Sequence, residues 1–388
     1  MPVKIKSSGG GSVSFDVPNT GTDYTLTMPA NNATLFTTAG GTITGNVAFT
    51  SNNVTIAGQN IAPSYGSKNK IINGDFRIWQ RSTAPTPGGV ASWTYNSADR
   101  WLFLSGGTSA TITRSTSVPT GFQYSLKLQR TASTSGTNTL YALQIIESLN
   151  CVDLQGQNVT FSFWAKAGAN FSASGNSISV GLQTGTVADE GSGYIGGLTG
   201  MTVPLNTSTT ITTTWTRYSF TVAIPSNALE INCYIYYNPT GTAGSDDALY
   251  ITGVQLEAGS TVTPFEFRQI GTELALCQRY YFQLTASGAS QGMLAQGYLY
   301  ATTQWEGIVT FPVDMRTIPT VTFTSPSTFS LRPSGVVPSS INYYTATGPG
   351  TRQMLIYTAH SAFGSAGLMQ SLAQVTPGLT GIYFSAEL

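Results

Sequence analysis

VQLEAGSTVTPFEFRQIGTELALCQRYYF, residues 254–282, changes structural period within one stretch. Its first residues finish a strand expected over 249–256, where β-branched and aromatic residues crowd together. Its second half predicts a helix. Thr272 is placed to cap it, Glu273 suits the first turn, and Leu274, Cys277 and Tyr281 recur at i, i+3 and i+7 to form one apolar stripe. The stretch therefore closes one β unit and opens the next, and no other part of the chain predicts a helix with comparable clarity.

Working upstream, residues 66–268 carry strand patterns at 101–104, 110–114, 125–130, 141–147, 159–166, 177–183, 215–222, 230–237 and 249–256, separated by polar, Gly-rich turns. Regular spacing of this kind predicts an all-β sandwich. Phe161, Phe163 and Ala165 alternate with Ser162, Trp164 and Lys166, while Cys233, Ile235 and Tyr237 alternate with Tyr234 and Tyr236. Both faces of these strands carry apolar groups, as expected of inner strands. Downstream, residues 269–388 open with the connector helix and continue with strands expected at 298–302, 307–311, 320–324, 353–358 and 381–384, a second and smaller β-sandwich. Stretches 291–304 and 368–374 show no clean period. Residues 1–65 alternate in short bursts, Val13/Phe15/Val17, Tyr24/Leu26/Met28, Val47/Phe49 and Val54/Ile56. Such strands bury too little surface alone. Three chains wound together would let the stripes meet on a common axis, so this segment is expected to make the protein a homotrimer.

Composition narrows the function. Charged residues are 9% of the 388, against about 25% in an ordinary soluble domain, so hydroxyl, amide and peptide groups must solvate the surface. With 40% hydrophobic residues, 11% aromatic and no net charge, the chain is expected to fold. The densest basic groupings are the Lys4/Lys6 and Lys68/Lys70 pairs, which predict no nucleic-acid partner. Apolar runs fall short of the ~20 residues a spanning helix needs, and MPVKIKSSGG lacks the apolar core of a secretion signal, so membrane insertion is not expected and folding in a cytoplasm is. Cys151, Cys233 and Cys277 are too scattered for a disulfide framework and are read as reduced, buried thiols.

The 254–282 stretch resembles a segment that recurs in bacteriophage tail-fibre and receptor-binding proteins. Residues 68–81, KNKIINGDFRIWQR, followed by SADRWLF at 97–103, resemble the opening phrase of a jelly-roll module in the same family. FPVDMRTIPTVTF, 311–323, carries a looser likeness. The resemblance implies a carbohydrate-binding-module-like jelly roll, opening at INGDF (72–76) and closing at DDALYITGVQLE (246–257). It also implies a virion adhesin, assembled in the host cytoplasm, whose N-terminus attaches to other tail or baseplate proteins and whose outer domains meet host polysaccharide. In carbohydrate-binding jelly rolls a structural calcium often ties the first strand to the last, which makes Asp75 and Asp247 candidate ligands. The alternative is that Asp75 ends a turn and Asp247 a strand without metal.

Catalysis is not expected. The single histidine, His360 in TAHSAFGSAG, has no nucleophile context nearby. A glycan depolymerase, the main alternative, needs two carboxylates about 5–9.5 Å apart flanking a cleft. Asp189/Glu190 and Asp246/Asp247 are sequence neighbours whose side chains would point to opposite faces of a strand, and Glu273, Glu306, Asp314 and Glu387 are the only acids after Arg268. A structural virion spacer is the third reading. Aromatics are the strongest functional signal, because sugar rings present apolar C–H faces to Trp and Tyr. The candidate platforms are Trp305, Tyr298, Tyr343 and Tyr344 in the C-terminal unit, expected on its host-facing loops, and Trp93 and Trp215 in the jelly roll.

Overall fold

Strands this rich in apolar residues need a covered face, and the computed structural model supplies it by stacking antiparallel sheets in two pairs. It describes residues 68–82, 93–190, 195–285, 292–343, 350–361, 365–374 and 381–388, with the backbone of short strands at 3–6, 12–15, 54–56, 59–61 and 86–87. The chain forms two compact units, 1–52 and 53–388. In the first, β1 (Val3–Lys6) and β2 (Ser12–Phe15) pair as an antiparallel hairpin. The bursts expected at 24–28 and 47–49 lie outside the described residues. In the second unit, β3 (Val54–Ile56) pairs with β4 (Gln59–Ile61).

The jelly-roll strands are β5 (Thr86–Pro87), β6 (Leu102–Leu104), β7 (Ala110–Ser115), β8 (Ser125–Arg130), β9 (Leu140–Ile146), β10 (Asn158–Ala167), β11 (Ser177–Gly185), β12 (Thr202–Thr210), β13 (Thr216–Ala223), β14 (Glu230–Tyr237) and β15 (Ala248–Ala258). One sheet runs β13-β10-β15-β8-β7-β5, the other β12-β11-β14-β9-β6. Alternation sorts the side chains. Phe161, Phe163 and Ala165 of β10 meet Cys233, Ile235 and Tyr237 of β14 in the core between the sheets. β12 was not anticipated: TVPLNTSTT is an edge strand with one deeply buried side chain, Leu205, so it shows almost no apolar signal.

The two motifs at the module's ends form one junction. Lys70 N–H donates to the Leu256 carbonyl at 2.8 Å and Val254 N–H to the Gly74 carbonyl at 2.9 Å. Asn69 adds two side-chain bonds to β15, its amide nitrogen donating to Val254 O and its oxygen accepting from Leu256 N–H. A β-carbon on Gly74 would overlap the Val254 carbonyl, so only glycine allows this approach. Arg268 donates to the carbonyls of Ile71 and Asn69 and to Glu273.

The helix, α2 (Ile270–Gln278), follows the four-residue α1 (Ser148–Cys151) in the chain and starts two residues before Thr272. Its N-cap is Gln269, with no side-chain cap. Glu273 explains the shift, because its buried carboxylate accepts from Asn73 N–H and Arg268, and this tertiary pairing sets the start in place of a capping hydroxyl. Cys277 and Tyr280 pack with Ile72 and Ile78 of the module's opening motif, whereas Tyr281, expected on the same stripe, begins the next strand. All three cysteines are free and buried.

The C-terminal sandwich contains β16 (Tyr281–Thr285), β17 (Met293–Ala301), β18 (Gln304–Thr310), β19 (Thr320–Phe323), β20 (Phe329–Arg332), β21 (Ser340–Tyr343), β22 (Gln353–Ala359), β23 (Met369–Gln374) and β24 (Gly381–Ser385). Its sheets run β16-β24-β19 and β20-β23-β17-β18-β22-β21. It is bolted to the jelly roll. Arg81 and Arg100 both pair with Glu387, Arg279 pairs with Glu147 at 3.0 Å, and Leu388 packs among Leu102, Leu143, Ile145 and Tyr234. Residue 268 thus marks a change of sheet inside one compact unit.

Candidate functional site

On the five-stranded sheet of the jelly roll, register decides which side chains share the outer surface. Tyr141 of β9 stands opposite Tyr236 of β14, which stands opposite Ser179 of β11 and then Ser208 of β12. One step along the strands, Leu143, Tyr234, Gly181 and Asn206 make the next row. Trp93 adds itself beside β6 through the Thr94–Phe103 bridge. Ring centroids are separated by 5.4 Å for Trp93–Tyr141, 4.7 Å for Tyr141–Tyr236 and 6.1 Å for Tyr234–Tyr236, all within stacking range. Trp93, Tyr141 and Tyr236 are half-buried, packed beside Leu102, Leu143 and Ile145 on the same face. A β-carbon at Gly181 would overlap the Tyr234 ring, so the missing side chain is what lets that ring lie flat across β11.

Beyond the rings, the surface offers neutral hydrogen-bonding groups: Ser179, the exposed Asn206 and Ser208, and Thr139, whose hydroxyl is 2.5 Å from Asn238. Burial raises the Tyr141 and Tyr234 phenols above their ordinary range, so both stay protonated and able to donate. An aromatic row with hydroxyl and amide groups at its margin is suited to the C–H faces and hydroxyls of an uncharged sugar.

The edge of this surface is held by carboxylates. Ile195 packs against it, Gly196 N–H donates to Gln183 Oε1 at 3.1 Å, and Glu190 N–H donates to Glu230 at 2.6 Å. Asp189 accepts from Ser148 N–H and pairs with Arg316, and Glu190 accepts from Thr199 N–H at 2.7 Å. Both acids are therefore loop anchors. Glu230 is fully buried, and its Oε1 has no hydrogen-bond partner among the described residues. Burial pushes its pKa up to about 7, against the lowering effect of the Glu190 N–H. Because the folded chain holds this proton more tightly than the unfolded one, its contribution is full below about pH 4.5 and is lost as pH rises through about 7. Glu230→Gln is accordingly expected to raise the melting temperature by a few degrees at about pH 8, with the gain closing near pH 5, as read by thermal denaturation across pH. A gain that persists unchanged at acid pH would contradict this.

The other candidates scatter. Trp305 is fully buried in β18 and its Nε1 donates to the Gln370 carbonyl at 3.0 Å, so it is a core residue and not a loop platform. Its ring lies over Gly307, and the strand alternation that sends Tyr298 outward sends Trp305 in. Tyr298 is exposed on the outer face of β17. Tyr343 belongs to strand β21, partly buried against Phe323, and Tyr344 lies outside the described residues. Trp215 sits just before β13, edge-on to Tyr250 with Lys166 over its ring at 5.8 Å, on the other jelly-roll sheet from Trp93. Tyr141 and Tyr236, absent from the expected platforms, were visible only as strand residues, Tyr234 and Tyr236 as one apolar face of an inner strand.

Asp75 and Asp247 do not form a shared cation site. Asp75 pairs with Arg77. Asp247 is fully buried and bound to Arg130, whose guanidinium donates to Asp247 Oδ2 at 2.8 Å, to Gly241 O at 2.8 Å, to Thr134 O at 3.0 Å, to Thr240 O at 3.3 Å and to Ser172 Oγ at 3.1 Å. One carboxylate and several carbonyls are the donor set a hard cation prefers, and here an arginine occupies it.

The fold defines an all-β protein built of stacked antiparallel sheets. Solved structures similar to the chain include a CBM4 structure (19% identity, 50% of this chain and 100% of that one, TM-score 0.30) and the C-terminal family 22 carbohydrate-binding module of Clostridium thermocellum Xyn10B (17%, 46% and 99%, 0.30). The enzymatically active domain of bacteriophage CBA120 tailspike protein 4 is also similar, at 14% identity and TM-score 0.32, over 50% of this chain and 22% of that one. Neither a protein-family model nor a curated protein matches the sequence.

Proposed function

We propose that the chain is a bacteriophage tail-fibre adhesin that binds an uncharged host-surface glycan, without cleaving it, on the outer face of the five-stranded jelly-roll sheet. The observation that carries the reading is the Trp93–Tyr141–Tyr236 row with its neutral hydrogen-bonding margin. The phage assignment draws its support from the motifs at 68–81 and 254–282. Binding without hydrolysis is supported by the engagement of the candidate acids: Glu306 accepts from Gln304 at 2.9 Å, Asp314 pairs with Arg352 at 3.3 Å, and Glu387 is held by two arginines. Purified protein should bind host cells and fail to bind mutants stripped of surface polysaccharide, and Trp93→Ala with Tyr236→Ala should abolish the difference. Equal binding to both cell types would reject the glycan reading.

A homotrimer, joined to the tail or baseplate through residues 1–65, completes the proposal. Apart from the N-terminal stripes, its support is the outer face of the six-stranded C-terminal sheet, where Met293, Tyr298, Tyr300, Ile308 and Met369 are exposed. Light scattering on the full chain should report three subunits; a monomer would end this part of the reading.

A further inference from the structure

The aromatic row does not stop at Trp93. Tyr95 follows two residues later on the same side of the extended segment, and its hydroxyl donates to the Leu388 carbonyl at 3.4 Å. The Arg81 guanidinium lies 5.6 Å from the Tyr95 ring and 3.7 Å from the Tyr281 ring, so it spans the two sandwiches. Facing this segment is the outer surface of the three-stranded sheet β16-β24-β19, where register sets Thr322 beside Tyr383 and Tyr281 beside Ser385. Between the two surfaces is a cavity of about 370 Å³ lined by Arg81, Tyr95, Asn96, Tyr281, Thr322 and Tyr383. Its volume falls within the range of small-ligand sites, about 300–1,000 Å³.

We propose that this cleft is a second saccharide subsite, filled by a further uncharged residue of the same glycan chain that lies on Trp93, Tyr141 and Tyr236. The proposal rests on the reading of that row as a glycan site. The Tyr95 and Tyr383 rings supply apolar platforms, Tyr281 with Arg81 stacked on its ring closes the wall between them, and Thr322 and Asn96 supply the polar edge. Charge selects against an acidic sugar. Arg81 donates to Asp99 at 3.2 Å and to Glu387 at 2.9 Å, and Arg100 also pairs with Glu387, so two guanidinium groups already face two carboxylates. An anion entering here would have to displace one of them. Burial holds the Tyr281 hydroxyl at about 12, which keeps it a donor. The C-terminal sandwich thereby becomes part of the receptor site, through Tyr281, Thr322 and Tyr383.

The test uses the full chain and an array of neutral and uronate-containing bacterial oligosaccharides, followed by calorimetric titration of short and long fragments of the best binder. The long fragment should bind about five- to tenfold more tightly than one too short to reach the cleft, the gain expected from one further stacked ring. Tyr383→Ala should erase that gain and leave the short fragment unaffected, and Thr322→Val, which keeps the shape of the wall, should reduce it in part. Trp93→Ala should weaken both fragments. Length dependence that survives both Tyr383→Ala and Thr322→Val overturns the cleft and leaves the row standing, whereas a uronate chain as best binder overturns the uncharged-sugar reading of both. If Trp93→Ala changes neither fragment while Tyr383→Ala weakens binding, the row fails and the cleft stands. Binding to no glycan by the unaltered protein overturns both.

Discussion

Arg130→Met is expected to cost the 53–388 unit about 3–5 kcal/mol of stability, the range for breaking a buried ion pair by removing one partner. The reason is local. Methionine fills part of the volume but leaves the Asp247 carboxylate buried without its cation, leaves the carbonyls of Thr240 and Gly241 without the guanidinium that donates to them, and leaves that of Thr134 with the Ala243 N–H alone. Asp247 keeps only the Ser172 N–H on its other oxygen. Urea unfolding followed by tryptophan fluorescence should show the midpoint falling sharply, and Asp247→Leu added to Arg130→Met should recover part of the loss by removing the stranded charge. Since the guanidinium already fills the oxygen-lined site, a calcium chelator should not move the midpoint of the unaltered protein. A chelator-sensitive midpoint, or a loss below about 1 kcal/mol for Arg130→Met, would show that arginine is not the cation holding these strands together.

Alanine at both Trp93 and Tyr236 should weaken a single glycan site by at least about a hundredfold, if each ring contributes the roughly 1.5–2 kcal/mol usual for a well-placed aromatic contact. Multivalent attachment would amplify the defect, because each of several linked sites loses the same increment. Both rings lie at the surface of an otherwise intact sheet, beside Leu102, Leu143 and Ile145 on the same face and outside the core between the sheets, so the double variant should keep its melting temperature within a few degrees. Trp305→Phe should do the reverse. Its loss falls on the core and on the hydrogen bond to Gln370, leaving adsorption per folded molecule unchanged. A folded Trp93→Ala, Tyr236→Ala protein that adsorbs normally would move the search to the exposed Tyr298 and Tyr300.

Strand patterns carried most of the architecture because they are local. The strands expected at 125–130 and 230–237 coincide with β8 and β14, where apolar residues strictly alternate or crowd on both faces. β12, β16, β20 and β21 were not expected, and β23 lies in a stretch without a clean period; β12 is threonine-rich, while β20 and β21 have only four residues each. The site was far less legible. Tyr141 and Tyr236 become neighbours only through the register of β9 against β14, and Tyr95 meets Tyr383 across a gap between sandwiches. Neither relation leaves a trace in local spacing. Trp305 was misplaced because a tryptophan in a polar setting, QWEG, looks exposed until the alternation of β18 turns it inward.

The clasp between Asn69–Gly74 and Val254–Leu256 means that the jelly roll enters and leaves the chain at one point. A module whose two ends lie side by side is an exchangeable cassette: another sandwich with the same mouth could take its place without altering the distance its neighbours must span. The constraint on such an exchange is a short list of matching residues. Arg81 and Arg100 must still find Glu387, and Glu147 must still find Arg279, or the newcomer would fold yet hang loose from the domain that follows it. Exchange of such modules would then be expected to preserve these pairs while letting the rings on the sheet change.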